Sequence, residues 1–153
     1  MINPTRFPDA SWQFDHLTVN ASVHAPGIQG LAALLGVKTG YRPPFPFPGC
    51  WLYRGSDAMV HVIDQADVNG EGAVQLNHIA FRSDKSLSEA IAEVAASGFP
   101  YRALRIPDSQ VVQFFVQVSD NLLVELDVRG QDGDPPIPEF HSATDQPQII
   151  PLS

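Results

Sequence analysis

The sequence predicts an α+β fold made of two tandem βαβββ modules, mixed sheets with a helix on the outer face of each. Three observations predict it. Strand-like and helix-like stretches recur in the same order along the two halves of the chain. The segments "FDHLTV" (14–19) and "LNHIAF" (76–81) open those halves, with His16 and His78 separated by 62 residues. "SDAMVHVID" (56–64) is answered by "SDNLLVELDV" (119–128), and His61 to Glu125 is 64 residues, so the second copy has gained about two residues over its length. Self-similarity at a near-constant spacing marks a duplicated structural unit and outranks local propensity as a guide to the fold.

The elements follow in order. Residues 1–12 carry Pro4 and Pro8 and no periodicity, which predicts an extended lead-in. "QFDHLTVN" alternates, with Phe14, His16 and Thr18 pointing one way and Asp15, Leu17 and Val19 the other, so a strand begins the first module, 13–66. "GIQGLAALLG" places Ile28, Leu31, Ala32, Leu34 and Leu35 on one helical face, and Gly36 can end the helix. "VKTGYR" reads as a strand. The four prolines of "PPFPFPG" then remove backbone donors and impose a stiff extended loop. Strand character returns in "CWLYRG" and "AMVHVID".

"QADVNGEGA" is polar and glycine-rich, so the connection between modules is placed at 67–74. Its "GEG" lacks the lysine and following helix of a phosphate loop. The second module, 75–129, repeats the order. "QLNHIAF" is a strand, and "SLSEAIAEVAASG" is a helix with Leu87, Ala90, Ile91 and Val94 on one face and Gly98 after its end. "YRALRI", "VVQFFVQV" and "NLLVELDV" are strands. The two modules together make one domain over about 13–129. The tail, 130–153, is rich in proline and polar residues and is not expected to build a core element, although Ile149, Ile150 and Leu152 could dock on a groove of this chain or a partner.

Composition narrows the function. Seventeen acidic residues against nine basic ones, with the basic ones scattered, leave a formal charge of −8 and no basic footprint for nucleic acid. No stretch has the length or apolarity of a membrane span or a signal peptide, so no membrane partner is expected. The single cysteine, Cys50, suits a reducing compartment and reads as a small buried hydrophobe, and cytoplasmic residence is the expectation.

The chemistry lies on one face of four strands. That face carries Phe14, His16 and Thr18; Met59, His61 and Ile63; Leu76, His78 and Ala80; and Leu123, Glu125 and Asp127. The opposite face is more uniformly apolar and is the natural bed for the helices, which leaves His16, His61, His78 and Glu125 lining a concavity. A lone strand histidine is usually a satisfied structural residue. Four ligand-type residues at matched places in two repeats point instead to a divalent transition metal, with a buried polar network as the alternative. His24 and His141 have no counterpart in the repeat and are placed in loops.

The doubled pattern resembles the vicinal oxygen chelate superfamily, which includes glyoxalase I, extradiol dioxygenases, fosfomycin-resistance and bleomycin-binding proteins and methylmalonyl-CoA epimerase. "FPGCWLYRG" followed by "VHVID" is similar to its small glyoxalase-like members. The resemblance covers about 12–129 and implies curved, cup-like sheets around one divalent metal ion (Zn, Ni, Mn, Co or Fe). It places the metal ligands at His16, His61, His78 and Glu125, with Glu125 and His61 as catalytic groups. Histidine at position 61 departs from the Glu or Gln usual in glyoxalase-type members. An extradiol-type triad would need only His16, His78 and Glu125, with His61 as a neighbouring acid/base or fourth ligand.

The implied function is a glyoxalase-like lyase or isomerase that chelates neighbouring oxygens of a small substrate and stabilises an enediolate-type intermediate. The alternatives are an extradiol-type ring-cleaving dioxygenase using Fe(II) or Mn(II), and a non-catalytic small-molecule-sequestering protein. Phe45, Phe47, Trp51 and Tyr53 offer aromatic walls for a substrate pocket, and Arg102 and Arg105 could receive a substrate carboxylate. A homodimer is the expected assembly, since curved sheets leave open edges.

Overall fold

A computed structural model of the protein describes residues 11–65 and 72–150. The lead-in up to residue 10, most of the expected connection at 67–74 and the tail residue Leu152 lie outside the described residues. The first half runs β1 (Gln13–Ala21), α1 (Pro26–Leu35), β2 (Lys38–Gly40), β3 (Gly49–Arg54) and β4 (Asp57–Asp64). The second runs β5 (Gln75–Arg82), α2 (Leu87–Ser97), β6 (Tyr101–Arg105), β7 (Val111–Ser119) and β8 (Leu122–Arg129). Each half is therefore βαβββ, as the repeat predicts. No helix among the described residues is long and apolar enough to cross a membrane.

The eight strands form one mixed, unclosed sheet in the order β2-β3-β4-β1-β5-β8-β7-β6. The opening strands of the two halves, β1 and β5, pair antiparallel at its centre, and each pairs parallel with the closing strand of its own half, β4 or β8. This arrangement puts the four strands that carry His61, His16, His78 and Glu125 side by side.

The helices cover the apolar face. α1 packs Ile28 with Val19, Ala21, Val60 and Val62, while α2 packs Leu87, Ala90 and Val94 with Val112, Phe114 and Val128. Both helices end on a glycine in the left-handed region, Gly36 at φ 67° and Gly98 at φ 76°, a conformation that only glycine adopts without steric cost. The second helix follows its predicted stripe. The first does not: Ile28, Leu31 and Ala32 pack on the core, but Leu34 is 85 % exposed and Leu35 also lies at the surface.

The tail departs from expectation more instructively. Phe140 is buried beside Phe47, Leu104, Phe115 and Leu123, so the tail supplies a core residue to the concave side of the sheet. The tail reaches this position by bridging β6 in parallel, Arg105 N donating to the Pro138 carbonyl at 2.8 Å and Phe140 N to the Arg105 carbonyl at 3.1 Å, and side chains on the sheet hold its backbone farther along. Arg102 Nη2 donates to the carbonyls of Asp145 and Gln146, at 2.6 and 2.9 Å. The Gln117 side chain bonds both the N–H and the carbonyl of Ile150, and Ile149 packs on the same cluster.

Candidate metal centre

Strand register sets out the site. On the concave face Thr18 of β1 stands between His61 of β4 and His78 of β5, and one step along Ala80 of β5 stands between His16 of β1 and Glu125 of β8. The large side chains therefore alternate with small ones in a checkerboard. Ala80, with no exposed surface, leaves the room in which His16 and Glu125 meet.

They meet closely. One ligand atom each from His16, His78 and Glu125 lies within 4.8 Å of the others, and all three residues are buried. His78 Nε2 is 3.0 Å from Glu125 Oε1, and His16 Nε2 is 3.4 Å from Glu125 Oε2. These inward nitrogens owe their character to what holds the outward ones. His16 Nδ1 is 2.6 Å from the Asp15 carboxylate and His78 Nδ1 is 2.6 Å from Asn77 Oδ1. The Asn77 amide cannot be turned around, because its Nδ2 donates to Asn20 Oδ1 and to the Pro147 carbonyl.

Both Nδ1 atoms therefore face acceptors, which turns each Nε2 toward Glu125, with His78 Nε2 within hydrogen-bond distance of Oε1. His16 Nε2 and Glu125 Oε2 are buried and lack any hydrogen-bond partner, a deficit that a cation held between the three residues would satisfy. A divalent metal answers that need with a donor set it favours, two imidazoles and one carboxylate. Asp15 and Asn77 then serve as the outer partners that orient metal-binding imidazoles.

The alternation of sequence does not by itself permit those outer partners, since a residue next to a histidine on a strand points to the opposite face. Two bulges bring them round. On β1 the step from Phe14 to His16 faces a single step on β5, and on β5 the step from Leu76 to His78 faces a single step on β1. Asp15 and Asn77 are the extra residues, and a bulge re-aims its side chain in this way.

Electrostatics agree with a cation site. Burial opposes charge on Glu125, but His16 and His78 beside it hold its carboxyl well below the usual carboxylate range. Burial, then the charge of Glu125 and a hydrogen bond with it, push the Asp127 carboxyl well above its usual value. Of the two adjacent carboxyls, Asp127 thus holds its proton more tightly and Glu125 is the one that ionises first.

His61, the fourth residue of the expected set, stays outside the group of three. Its ring stacks on His16 at 3.5 Å between centroids, and on its other side on Trp51 at 3.9 Å. Burial, and next the adjacent His16, hold its pKa well below the ordinary imidazole value, and its Nε2 has no hydrogen-bond partner.

An inner cavity of about 30 Å³ lies against this centre, lined by Arg42, Phe45, Phe47, Trp51, His61, His78, Gln113, Glu125 and the tail residues Phe140 and Pro147, among others. His61, Trp51 and Gln113 also border an open cleft of about 720 Å³ toward Asp15, Arg82 and Asp127. Of the expected aromatic wall, Tyr53 borders the open cleft, whereas Phe45, Phe47 and Trp51 line the inner cavity. The expected arginines are not in it: Arg102 is spent on the tail carbonyls, and Arg105 on Glu139 and the Ser109 carbonyl. Sequence reasoning missed Arg42, Asp15 and Asn77. A polar residue directly before each repeated histidine, "DH" and "NH", was the available signal for the latter two.

No protein-family model matches the sequence, and no curated protein matches it. Solved structures do. Methylmalonyl-CoA epimerase from Mycobacterium tuberculosis aligns at a TM-score of 0.58 and 13% identity, over 82% of this chain and 93% of its own. A Streptomyces coelicolor methylmalonyl-CoA epimerase in complex with 2-nitronate-propionyl-CoA aligns at 0.54 and 15%, over 82% and 100%. A variant of homoprotocatechuate 2,3-dioxygenase from B. fuscum aligns at 0.58 and 11%, over 81% of this chain and 34% of its own. Epimerase and dioxygenase are both vicinal oxygen chelate proteins, and the chain has their fold.

Proposed function

We propose that the protein is a divalent-metal-dependent enzyme of the lyase or isomerase kind, acting on a small molecule with two neighbouring oxygens. One observation carries this reading: buried ligand atoms of two histidines and a glutamate converge within 4.8 Å of one another, and each histidine is pre-oriented by a bulge residue. His16, His78 and Glu125 would hold the ion. When bound, the ion supplies Lewis acidity, polarising a substrate carbonyl so that a proton on the adjacent carbon is more readily lost.

The chain's own residues supply the rest. His61 is the candidate base, because it borders both the inner cavity and the open cleft and presents an unpartnered Nε2. Stacking between Trp51 and His16 fixes its ring plane, so a proton can be taken at Nε2 without reorienting the side chain. Phe45, Phe47 and Phe140 make the inner wall apolar.

A second reading, a ring-cleaving dioxygenase with Fe(II) or Mn(II), is favoured by the donor set itself. Two histidines and one carboxylate are the facial arrangement of non-haem iron oxygenases.

Metal analysis of purified and reconstituted protein tests the proposal. About one equivalent of metal in wild type, falling below roughly one-tenth in His16→Ala and in Glu125→Gln with the fold retained, is the expected result. Full metal affinity in either variant would show the site to be misplaced. Iron content together with catechol-dependent oxygen uptake would select the dioxygenase.

A further inference from the structure

The inner cavity has a cation in its wall that the metal reading does not use. Arg42 immediately precedes the proline-rich loop, and its guanidinium lies over two rings of that loop, 4.9 Å from the centroid of Phe45 and 5.2 Å from that of Phe47. Its Nε is shielded from solvent with no hydrogen-bond partner, and among the described residues the side chain makes no hydrogen bond or ion pair. Other arginines near the site are answered: Arg82 by Asp15, Arg102 by two tail carbonyls, and Arg105 by Glu139.

The local chain makes room for this side chain. A Cβ on Gly49 would collide with the Val62 carbonyl and stand 3.1 Å from Arg42 Nη2, so glycine there keeps the guanidinium's space clear. An arginine remains charged even when half-buried, and since no carboxylate among the described residues answers this one in the cavity wall, the partner that fits it is an anion brought from outside. The flat rings of Phe45 and Phe47 beside the guanidinium, and the small size of the cavity, suit a planar group of a few atoms.

We propose that Arg42 anchors a carboxylate of the substrate, which makes the substrate class small oxygenated carboxylates. The carboxylate would meet the guanidinium while the remaining oxygens face His78 and Glu125 in the same cavity wall. This second half rests on the metal-centre reading, whereas the anion site itself does not.

The test is calorimetric titration of metal-free protein with lactate and mandelate, each against its neutral amide, with inorganic phosphate as a third anion. Wild type is expected to bind at least one acid about tenfold or more tightly than its amide, and Arg42→Met to lose that preference. Arg42→Lys keeps the charge without the planar fork and should retain only part of the preference, which is read at an unchanged thermal midpoint if the Met variant does not fold. Absence of acid preference in wild type, its survival in Arg42→Met, or phosphate binding more tightly than either acid would each overturn the assignment. An arginine that merely stacks on two phenylalanines would leave the acid-to-amide ratio unmoved. Because these titrations use metal-free protein, their result is separable from whether Co(II) binds the three-residue centre.

Discussion

Asp15 and Asn77 occupy matching bulges, one on each of the two central strands, and each holds the Nδ1 of the histidine that follows it at 2.6 Å. Duplication has thus copied the support of the ligands together with the ligands. The two are not chemically equal. Asp15 also pairs with Arg82 at 2.9 Å near the surface, whereas Asn77 is tied to Asn20 and to the tail at Pro147.

Removing either support should leave metal stoichiometry near one but weaken affinity about 10- to 100-fold. Asp15→Ala and Asn77→Ala, titrated with Zn(II) against a competing chelator, measure this. An unchanged affinity in both would mean that the histidines are oriented by packing alone.

His61 should separate from the ligands. His61→Gln is expected to keep metal stoichiometry and affinity within about threefold of wild type while lowering turnover by about 100-fold or more once a substrate is found, the range of general acid–base catalysis. Loss of metal in this variant would make His61 a fourth ligand.

The raised pKa of Asp127 predicts a pH effect on the metal-free protein. A carboxyl whose pKa is raised by folding contributes stability that is fully present below its unfolded value near 3.8 and is lost as pH rises through the folded value. Asp127→Asn removes that loss. The variant should therefore melt at a higher temperature than wild type at pH 7, with the difference shrinking toward pH 4. A constant difference across that range would indicate that the effect is not one of ionisation.

Phe140 tests the tail. Its ring is buried against Phe45, Phe47 and Phe115, at centroid distances of 5.1, 6.0 and 6.1 Å. Phe140→Ala should cost about 3 kcal/mol or more in urea unfolding, as for other buried phenylalanines. It should also open the inner cavity, detectable as faster quenching of Trp51 fluorescence by acrylamide. A cost below about 1 kcal/mol would mean that the tail is detached in solution.

By itself the sequence determined the duplication, the order of the ten main elements, and the face on which His16, His61, His78 and Glu125 stand. It could do so because period-two alternation and repeat spacing are properties of the chain alone. The arrangement within that face needed the tertiary structure. Which three of the four residues converge depends on which strands become neighbours and on the alternation of Thr18 and Ala80 between them. The orienting roles of Asp15 and Asn77 depend on bulges, which exist only between paired strands, because an extra residue is extra only relative to a partner. The burial of the tail's Phe140 and the lack of a partner for Arg42 among the described residues were also invisible along the chain. Burial, and the absence of a counter-charge, are set by what other segments bring to the same place.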